Sequence, residues 1–448
     1  MISIIIPSHN RRDLLRSLLD ALAAQQAGTP PFEVIIVADN CRDGTQAMVA
    51  AYQAPFPIRL IEQPGVGPSR ARNAGVAQAS TDLLLFLDDD VIPTAGLVAA
   101  HAQAHQDGTG RAVLGPYPPQ PHGSGSHFRV LMRRWWNAHF NELGSPGHRF
   151  VYSDLLTGNL SLPKRIWEAV GGLDPQFAHA REDLELGVRL MKAGVAFHYA
   201  PDALGWHYEY LTTSPRSILR RTKEEGRSDA LMALKHPDMG AALKAARQLR
   251  RKGRGAKIRY GVLRRTGLID RPVIAMGPRL LSLLEGMGLA RARQRMDNIL
   301  REYCYARGAI EGLGAHYCSF RAQPLPAIAP PDMAIDIADG IEAAENQLTT
   351  HRPESARILY RGEEIARLGW TPVAERWSGH HLRPYLAKRA AARLVPLLLA
   401  ESMQDGHAVD RISPMALHML WTNDFSAQLH ETYWQWGGGM MDLQSCNK

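Results

Sequence analysis

Over about the first 90 residues, apolar runs of strand length alternate with amphipathic stretches. Residues 3–7 (SIIIP) are β-branched and apolar, as a buried strand requires, and Leu14, Leu15, Leu18, Leu19 and Leu22 then recur at helical spacing. Gly28-Thr29-Pro30-Pro31 stops that helix. Residues 32–38 (FEVIIVA) predict a second strand, ended by the turn 39–45, and residues 58–62 a third. A glycine-rich basic loop, 65–75, leads into another helix, after which residues 83–87 (LLLFL) run straight into Asp88, Asp89 and Asp90. This alternation predicts a parallel, doubly wound α/β sheet. Parallel strands would bring His9-Asn10, Asp39, the Arg70/Arg72 loop and the acidic triplet to one edge, where open α/β sheets collect ligands.

Further along, residues 108–150 are rich in Gly, Pro and His around a Trp135-Trp136 pair and read as an irregular, flap-like excursion. Pro163 opens a helix that Gly171-Gly172 ends, and residues 182–193 form a second helix with Glu182-Asp183 in its first turn, where the helix dipole favours negative charge. Residues 195–199 and 204–208 read as strands. The pattern is helical from 215 to about 317, and Pro324, Pro326, Pro330 and Pro331 then punctuate a linker. In the last hundred or so residues, 357–359 and 365–368 flank a turn like a hairpin, 385–401 reads as helical, and the tail carries Trp421, Trp434 and Trp436.

The 448 residues suffice for two or three domains. Composition, 45% apolar and 21% charged, is that of a soluble globular protein. No secretory signal pattern is read in MISIIIP, and no window approaches the roughly 18 apolar residues of a membrane span. Cys41, Cys304, Cys318 and Cys446 lack CxxC spacing, which argues against a zinc ribbon or a disulfide scaffold and fits a reducing cytoplasm. The net charge of +8 is uneven: residues 216–311 hold 23 Lys/Arg against 9 Asp/Glu, or +14, leaving −6 elsewhere. A basic helical segment of this kind is a solvated face, a docking surface for anionic lipid or a lipid diphosphate, or a nucleic-acid surface; the absence of any recognised module or aromatic interleaving speaks against the last.

The segments SIIIPSHNRRDLLRSLLDAL, VIIVADNCRDGT, GPSRARNAG, LLFLDDDVIP, TGNLSLPKRIWEAVGGLD and REDLELGVRL, in this order, resemble the family 2 glycosyltransferases of GT-A fold over about residues 1–230. The resemblance implies a mixed, mostly parallel Rossmann-like sheet. Pro7, His9 and Asn10 would line the base and ribose pocket, and Asp39 would accept a hydrogen bond from the base; the family usually has two adjacent Asp here, against Ala38-Asp39 in this chain. Arg72, helped by Arg70, would support the diphosphate. Asp88 and Asp90 would be the acidic positions of the DxD motif, with Asp90 on a Mn²⁺ or Mg²⁺ ion, Asp88 at the ribose or a metal-bound water, Asp89 between them, and His207 as third metal ligand. Asp183 would be the general base of an inverting transfer and Glu182 its partner. Gly158-Asn159 would shape the acceptor side, and Trp206 would stack on a sugar or simply pack in the core.

The expected architecture is therefore a catalytic domain at 1–215 (nucleotide-sugar side 1–100, acceptor side 101–215), a basic helical extension at 216–320, a linker at 321–355 and a small α+β domain at 356–448. The expected activity is transfer from a nucleotide-diphosphate sugar, UDP favoured, to a glycan, lipid-linked or peptide acceptor, in the cytoplasm and with contact to the inner membrane face through the basic helices. Two alternatives keep the fold: a sugar-phosphate nucleotidyltransferase, which wants a glycine-rich phosphate loop where this chain has SHNRRD, and a non-enzymatic nucleotide-sugar binder.

Overall fold

The computed structural model describes residues 1–121, 127–178, 180–239, 242–249, 263, 267–322, 332–394 and 397. The chain forms two compact units, one of Met1–Gly144, Phe150–Ala327 and Pro372–Ala374, the other of Ser145–Arg149, Ile328–Thr371 and Glu375–Lys448.

The first unit is built on a seven-stranded sheet of order β3-β2-β1-β4-β7-β6-β8. Strands β1 (Ile2–Ser8), β2 (Phe32–Asp39), β3 (Ile58–Gln63) and β4 (Leu83–Leu87) are parallel, as their alternation with helices α1 (Arg12–Ala23), α2 (Thr45–Ala51) and α3 (Pro68–Ala77) predicts. Both faces are covered, so β1 reads as a continuous apolar run: Ile4 and Ile6 join the core with Leu15, Leu18 and Leu19 of α1, while Ile5 faces the core of Phe86 and Leu160. Gly75 of α3 is required by this packing, because a Cβ there would approach Ile5 Cγ2 to 2.5 Å.

The excursion expected at 108–150 is more ordered than its composition suggests. It contributes β6 (Ala112–Leu114) to the sheet and, after α4 (Leu97–Ala104), the helix α5 (His127–Leu143), in which Trp136, Phe140 and Leu143 repeat on one buried face. Strand β7 (Asn159–Pro163) was not expected either; it runs antiparallel to both β4 and β6, and β6 pairs in parallel with β8 (Phe197–Tyr199). Between them lie α6 (Lys164–Val170) and α7 (Glu182–Lys192). A separate two-stranded ribbon joins β5 (Val91–Pro93) to β9 (Gly205–His207).

The basic segment is part of this unit. After the short α8 (Glu209–Thr212), α9 (Pro215–Lys235) shares a core with Phe177 and Val188 through Ala230, Met232 and Ala233. The helix Ala290–Leu313 crosses α9 at backbone contact. A Cβ on Gly308 would overlap the Lys223 carbonyl, one on Gly226 the Tyr305 carbonyl, and one on Gly312 would lie 2.5 Å from the Arg227 oxygen.

In the second unit, β10 (Met333–Asp336) pairs in parallel with β11 (Ala356–Tyr360), which pairs antiparallel with β12 (Glu363–Leu368) as the hairpin pattern predicts. With the helix Ile341–His351 they enclose Ile335, Leu348, Ile358, Ile365 and Trp377. The linker expected at 321–355 is thus corrected: from residue 333 it holds a strand and a helix of this core. Of the helix expected at 385–401, residues 385–389 fall in the helix Leu382–Arg389 and a turn at Ala390 interrupts it; residues 398–401, like Trp421, Trp434 and Trp436, lie outside the described residues.

Gly308→Ala is expected to cost about 1–3 kcal/mol through overpacking at the crossing. Gly286→Ala, at a helical position with nothing within 4 Å of a new Cβ, should instead gain roughly 0.5–1 kcal/mol. Denaturant unfolding of the two variants checks the contrast; equal midpoints would show that the crossing tolerates a methyl group.

Candidate active site

The carboxyl ends of β1, β2 and β4 open on a cavity of about 670 Å³. Pro7 and His9 line it from β1, and His9 Nδ1 lies 2.5 Å from the Asp39 carbonyl oxygen. The Asp39 carboxylate accepts three backbone amides from the loop before α3: Gly65 and Val66 on Oδ1 (2.9 and 2.8 Å) and Gly67 on Oδ2 (2.8 Å). Gly67 has φ +89°, and a Cβ there would sit 2.9 Å from the Ala178 oxygen, so the loop needs glycine. Asp39 thereby fixes this wall of the cavity.

The acidic triplet is held by two arginines. Arg72 of α3, 4% exposed, donates to Asp88 Oδ1 at 2.5 Å and lies 3.7 Å from Glu182. Arg11 donates to Asp89 Oδ1 at 2.6 Å and to Asp90 Oδ2 at 3.0 Å. Burial works against the charge on Arg11, but Asp89 and Asp90 outweigh it and raise its pKa. Burial lifts Asp89 to about 6, with Arg11 opposing and Asp90 adding to the rise. The sequence reading passed over Arg11; its signal was a basic residue directly after the first strand.

Strand register places His207. Val91 of β5 pairs with His207 of β9, and the Tyr208 amide donates to the Asp90 carbonyl at 2.9 Å. His207 Nε2 consequently lies 3.6 Å from Asp90 Oδ1, while the ring packs against Tyr117 and Trp136 at 5.5 and 5.0 Å. Its Nδ1 is buried and has no hydrogen-bond partner among the described residues.

Also lining the cavity, Glu182 and Asp183 begin α7 after Arg181, whose φ of +66° turns the chain sharply. Burial, then the neighbouring Glu182, raises Asp183 to about 7, with Arg221 opposing. Arg221, Ser217 and Ile218 come from α9, so the basic segment supplies cavity residues that sequence reasoning left outside the site. Tyr117, Met132 and Trp136 complete an aromatic wall, with the buried Trp136 Nε1 unpartnered among the described residues.

Four expected site residues do not line this cavity. Asn10 (φ +54°) turns outward, and its Oδ1 accepts the Arg42 amide at 2.7 Å, tying two strand-end loops together. Arg70 is exposed on the outer side of α3. Trp206 lies on the ribbon opposite Ile92. Asn159 is buried: its Nδ2 donates to the Ala203 and Pro116 carbonyls and its Oδ1 accepts from His101 Nε2 at 2.8 Å. Burial pushes His101 down to about 4, which keeps it neutral in this role. Gly158 does line the cavity, where a Cβ would come 2.9 Å from Asp88 Oδ2 and 2.8 Å from the Tyr117 ring.

The family model described as glycosyl transferase family 2 matches residues 3–158, and that of glycosyl transferase family group 2 matches residues 83–283. Validoxylamine A glucosyltransferase of Streptomyces hygroscopicus subsp. jinggangensis is 31% identical over 230 residues, covering 46% of this chain and 54% of that protein. Pre-mycofactocin glycosyltransferase of Mycobacterium tuberculosis is 29% identical over 246 residues, 54% of this chain and 49% of that one. The chain thus spans about half the length of these relatives. A mannosyltransferase from Pyrobaculum calidifontis, solved with GDP-Man and Mn²⁺, aligns at TM-score 0.46 and 17% identity over 70% of this chain and 87% of its own. The matched segments span the sheet, the acidic triplet, the Glu182-Asp183 pair and the wall from α9, and residues 3–283 of this chain belong with the family 2 glycosyltransferases.

Proposed function

We propose that the cavity transfers a sugar from a nucleoside diphosphate, uridine favoured, to an acceptor hydroxyl with inversion, and that Asp183 is the general base. The observation that carries this reading is Asp183 itself: a half-buried carboxyl, raised to about 7, that lines the same cavity as the acidic triplet. A base whose pKa lies near the working pH combines a useful unprotonated fraction with real basicity. Asp183 takes the acceptor proton as the hydroxyl oxygen attacks the anomeric carbon. Arg72 bridges Asp88 and Glu182 and so fixes the spacing of the two acidic walls. The Trp136 indole N–H and the Tyr117 ring offer a donor and an apolar face to a pyranose.

The charge balance supports a cation. Seven carboxylates line the cavity (Asp39, Asp88, Asp89, Asp90, Glu182, Asp183 and Glu209) against three guanidiniums, those of Arg11, Arg72 and Arg221. A diphosphate would be repelled from such a wall unless positive charge entered with it. Asp90 and His207 face each other at 3.6 Å, too long for a hydrogen bond, and this oxygen–nitrogen pair offers two ligand atoms of the kind a divalent ion takes. Mn²⁺ or Mg²⁺ held there would supply charge neutralisation for the diphosphate. Arg11 holds Asp89 and Asp90 in place on the protein side. Asp39, with both lone pairs of Oδ1 and one of Oδ2 taken by amides, keeps one acceptor site on Oδ2 for a base N–H.

Asp183→Asn should lower kcat by roughly 10²–10⁴-fold while leaving nucleotide binding by calorimetry within a few-fold; wild-type turnover would rule out the assignment. For the wild type, kcat should rise with pH through about 7 and level off above it, because Asp183 acts unprotonated. The same shift has a stability sign. A carboxyl whose folded pKa is raised stabilises the protein only while protonated, so this contribution fades as pH climbs from the ordinary carboxylate range through about 7. Asp183→Asn should therefore melt above the wild type at pH 8 and not at pH 4. His207→Ala should weaken Mn²⁺ binding, measured by titration without donor, by roughly tenfold or more; unchanged affinity removes His207 from the ligand set.

A further inference from the structure

The helix Asp270–Gly286 has two apolar sides. One is used: Leu281 is buried, and a Cβ on Gly277 would lie 3.1 Å from Leu300 and 3.2 Å from Leu219 of α9. The other is not. Met276, Leu280, Leu283 and Met287 follow one another at intervals of three or four residues, the repeat of a single helix face, and Ile269, seven residues before Met276, keeps the same spacing. Met276, Leu283 and Met287 are 62%, 59% and 61% exposed. Of the twelve large hydrophobic residues exposed among the described residues, seven fall between positions 269 and 299, so the patch is a concentration rather than ordinary scatter.

Its surroundings carry one sign of charge. Arg271, Arg279, Arg291 and Arg295 are exposed and make no ion pair among the described residues. The acids of the same elements are engaged elsewhere: Asp270 is buried against Arg307 and Lys223, and Glu285 pairs with Arg293 at 3.1 Å. No described helix is long and apolar enough to cross a membrane.

We infer that this face docks on a bilayer surface bearing anionic lipids, with the Met276–Met287 row lying in the headgroup–acyl boundary and the flanking arginines on the lipid phosphates. An apolar stripe with a cationic rim on a helix too polar to span matches that interface. Nucleic acid would use the arginines and leave the stripe in water. A second copy related by a two-fold axis would set guanidiniums against guanidiniums. The inference stands apart from the chemistry in the cavity, but the two are physically linked. Leu219 packs beneath this helix, and its neighbours Ile218 and Arg221 line the cavity. Two helices, α9 and Asp270–Gly286, thus lie between the cavity and the docked face.

The test is co-sedimentation of the full chain with vesicles of phosphatidylcholine alone or with one quarter phosphatidylglycerol, at low and high salt. Wild type should bind the anionic vesicles at least tenfold more tightly than the neutral ones, and less so in high salt. Met276→Glu combined with Leu283→Glu should lose tenfold or more while nucleotide binding, measured in parallel, stays intact. Failure of the wild type to sediment, or equal binding by the double variant, overturns the inference. So does a dimer in light scattering that the double variant abolishes, which would assign the face to a second copy.

Discussion

The structure is arranged around the mutual repulsion of Asp88, Asp89 and Asp90. Three adjacent carboxylates at the end of a buried strand are destabilising unless opposite charge is brought to them, and the fold brings it from two elements. Arg11 follows β1, and Arg72 comes from α3, the helix that leads into β4. Each is more valuable for the partner it satisfies than for net stability, since breaking a buried pair leaves an uncompensated charge behind. The positive charge supplied is still less than the negative charge present. That deficit gives the cavity its character: it favours cations.

The same compensation couples the two walls. Arg72 reaches from Asp88 toward Glu182, so the strand-end triplet and the start of α7 are spaced by one guanidinium rather than by separate loops. Opposite it, the β5–β9 pairing sets His207 beside Asp90 by backbone register, and β7 sets Gly158 against Asp88 through the Asp88 amide, which donates to the Gly158 carbonyl at 3.2 Å. Three pieces of chain distant in sequence meet at a point where side chains have little room to move, which is the preorganisation a transferase site needs.

The basic helices extend this logic. Their positive charge suggested an appendage, yet their apolar face completes the core behind α7, and α9 carries Arg221 toward Asp183. Backbone-to-backbone crossing at Gly308 and Gly226 holds the pair tightly enough to make α9 a fixed wall. What remains outside is a helix with one apolar side buried and another exposed, an arrangement that costs solubility unless something covers it.

Periodicity and strand-end chemistry in the sequence alone determined the first half of the sheet, the acidic edge and the Glu182-Asp183 pair. These are local signals: a five-residue apolar run, a leucine repeat and a carboxylate at a helix start each declare themselves within a few positions. The composition of 108–150 hid β6 and α5, because Gly, Pro and His mask a buried face that only tertiary packing against Tyr117 reveals. Proline at 324–331 suggested a linker that in fact leads into β10. Asn10, Asn159 and Trp206 carried the right residue types but point into backbone hydrogen bonds or the ribbon, and no spacing rule reports side-chain direction. Arg11, Tyr117 and Arg221 were missed for the converse reason. Their place at the site comes from strand order, from the packing of the aromatic wall and from the α9 crossing, and these long-range contacts are decided only when the chain is folded.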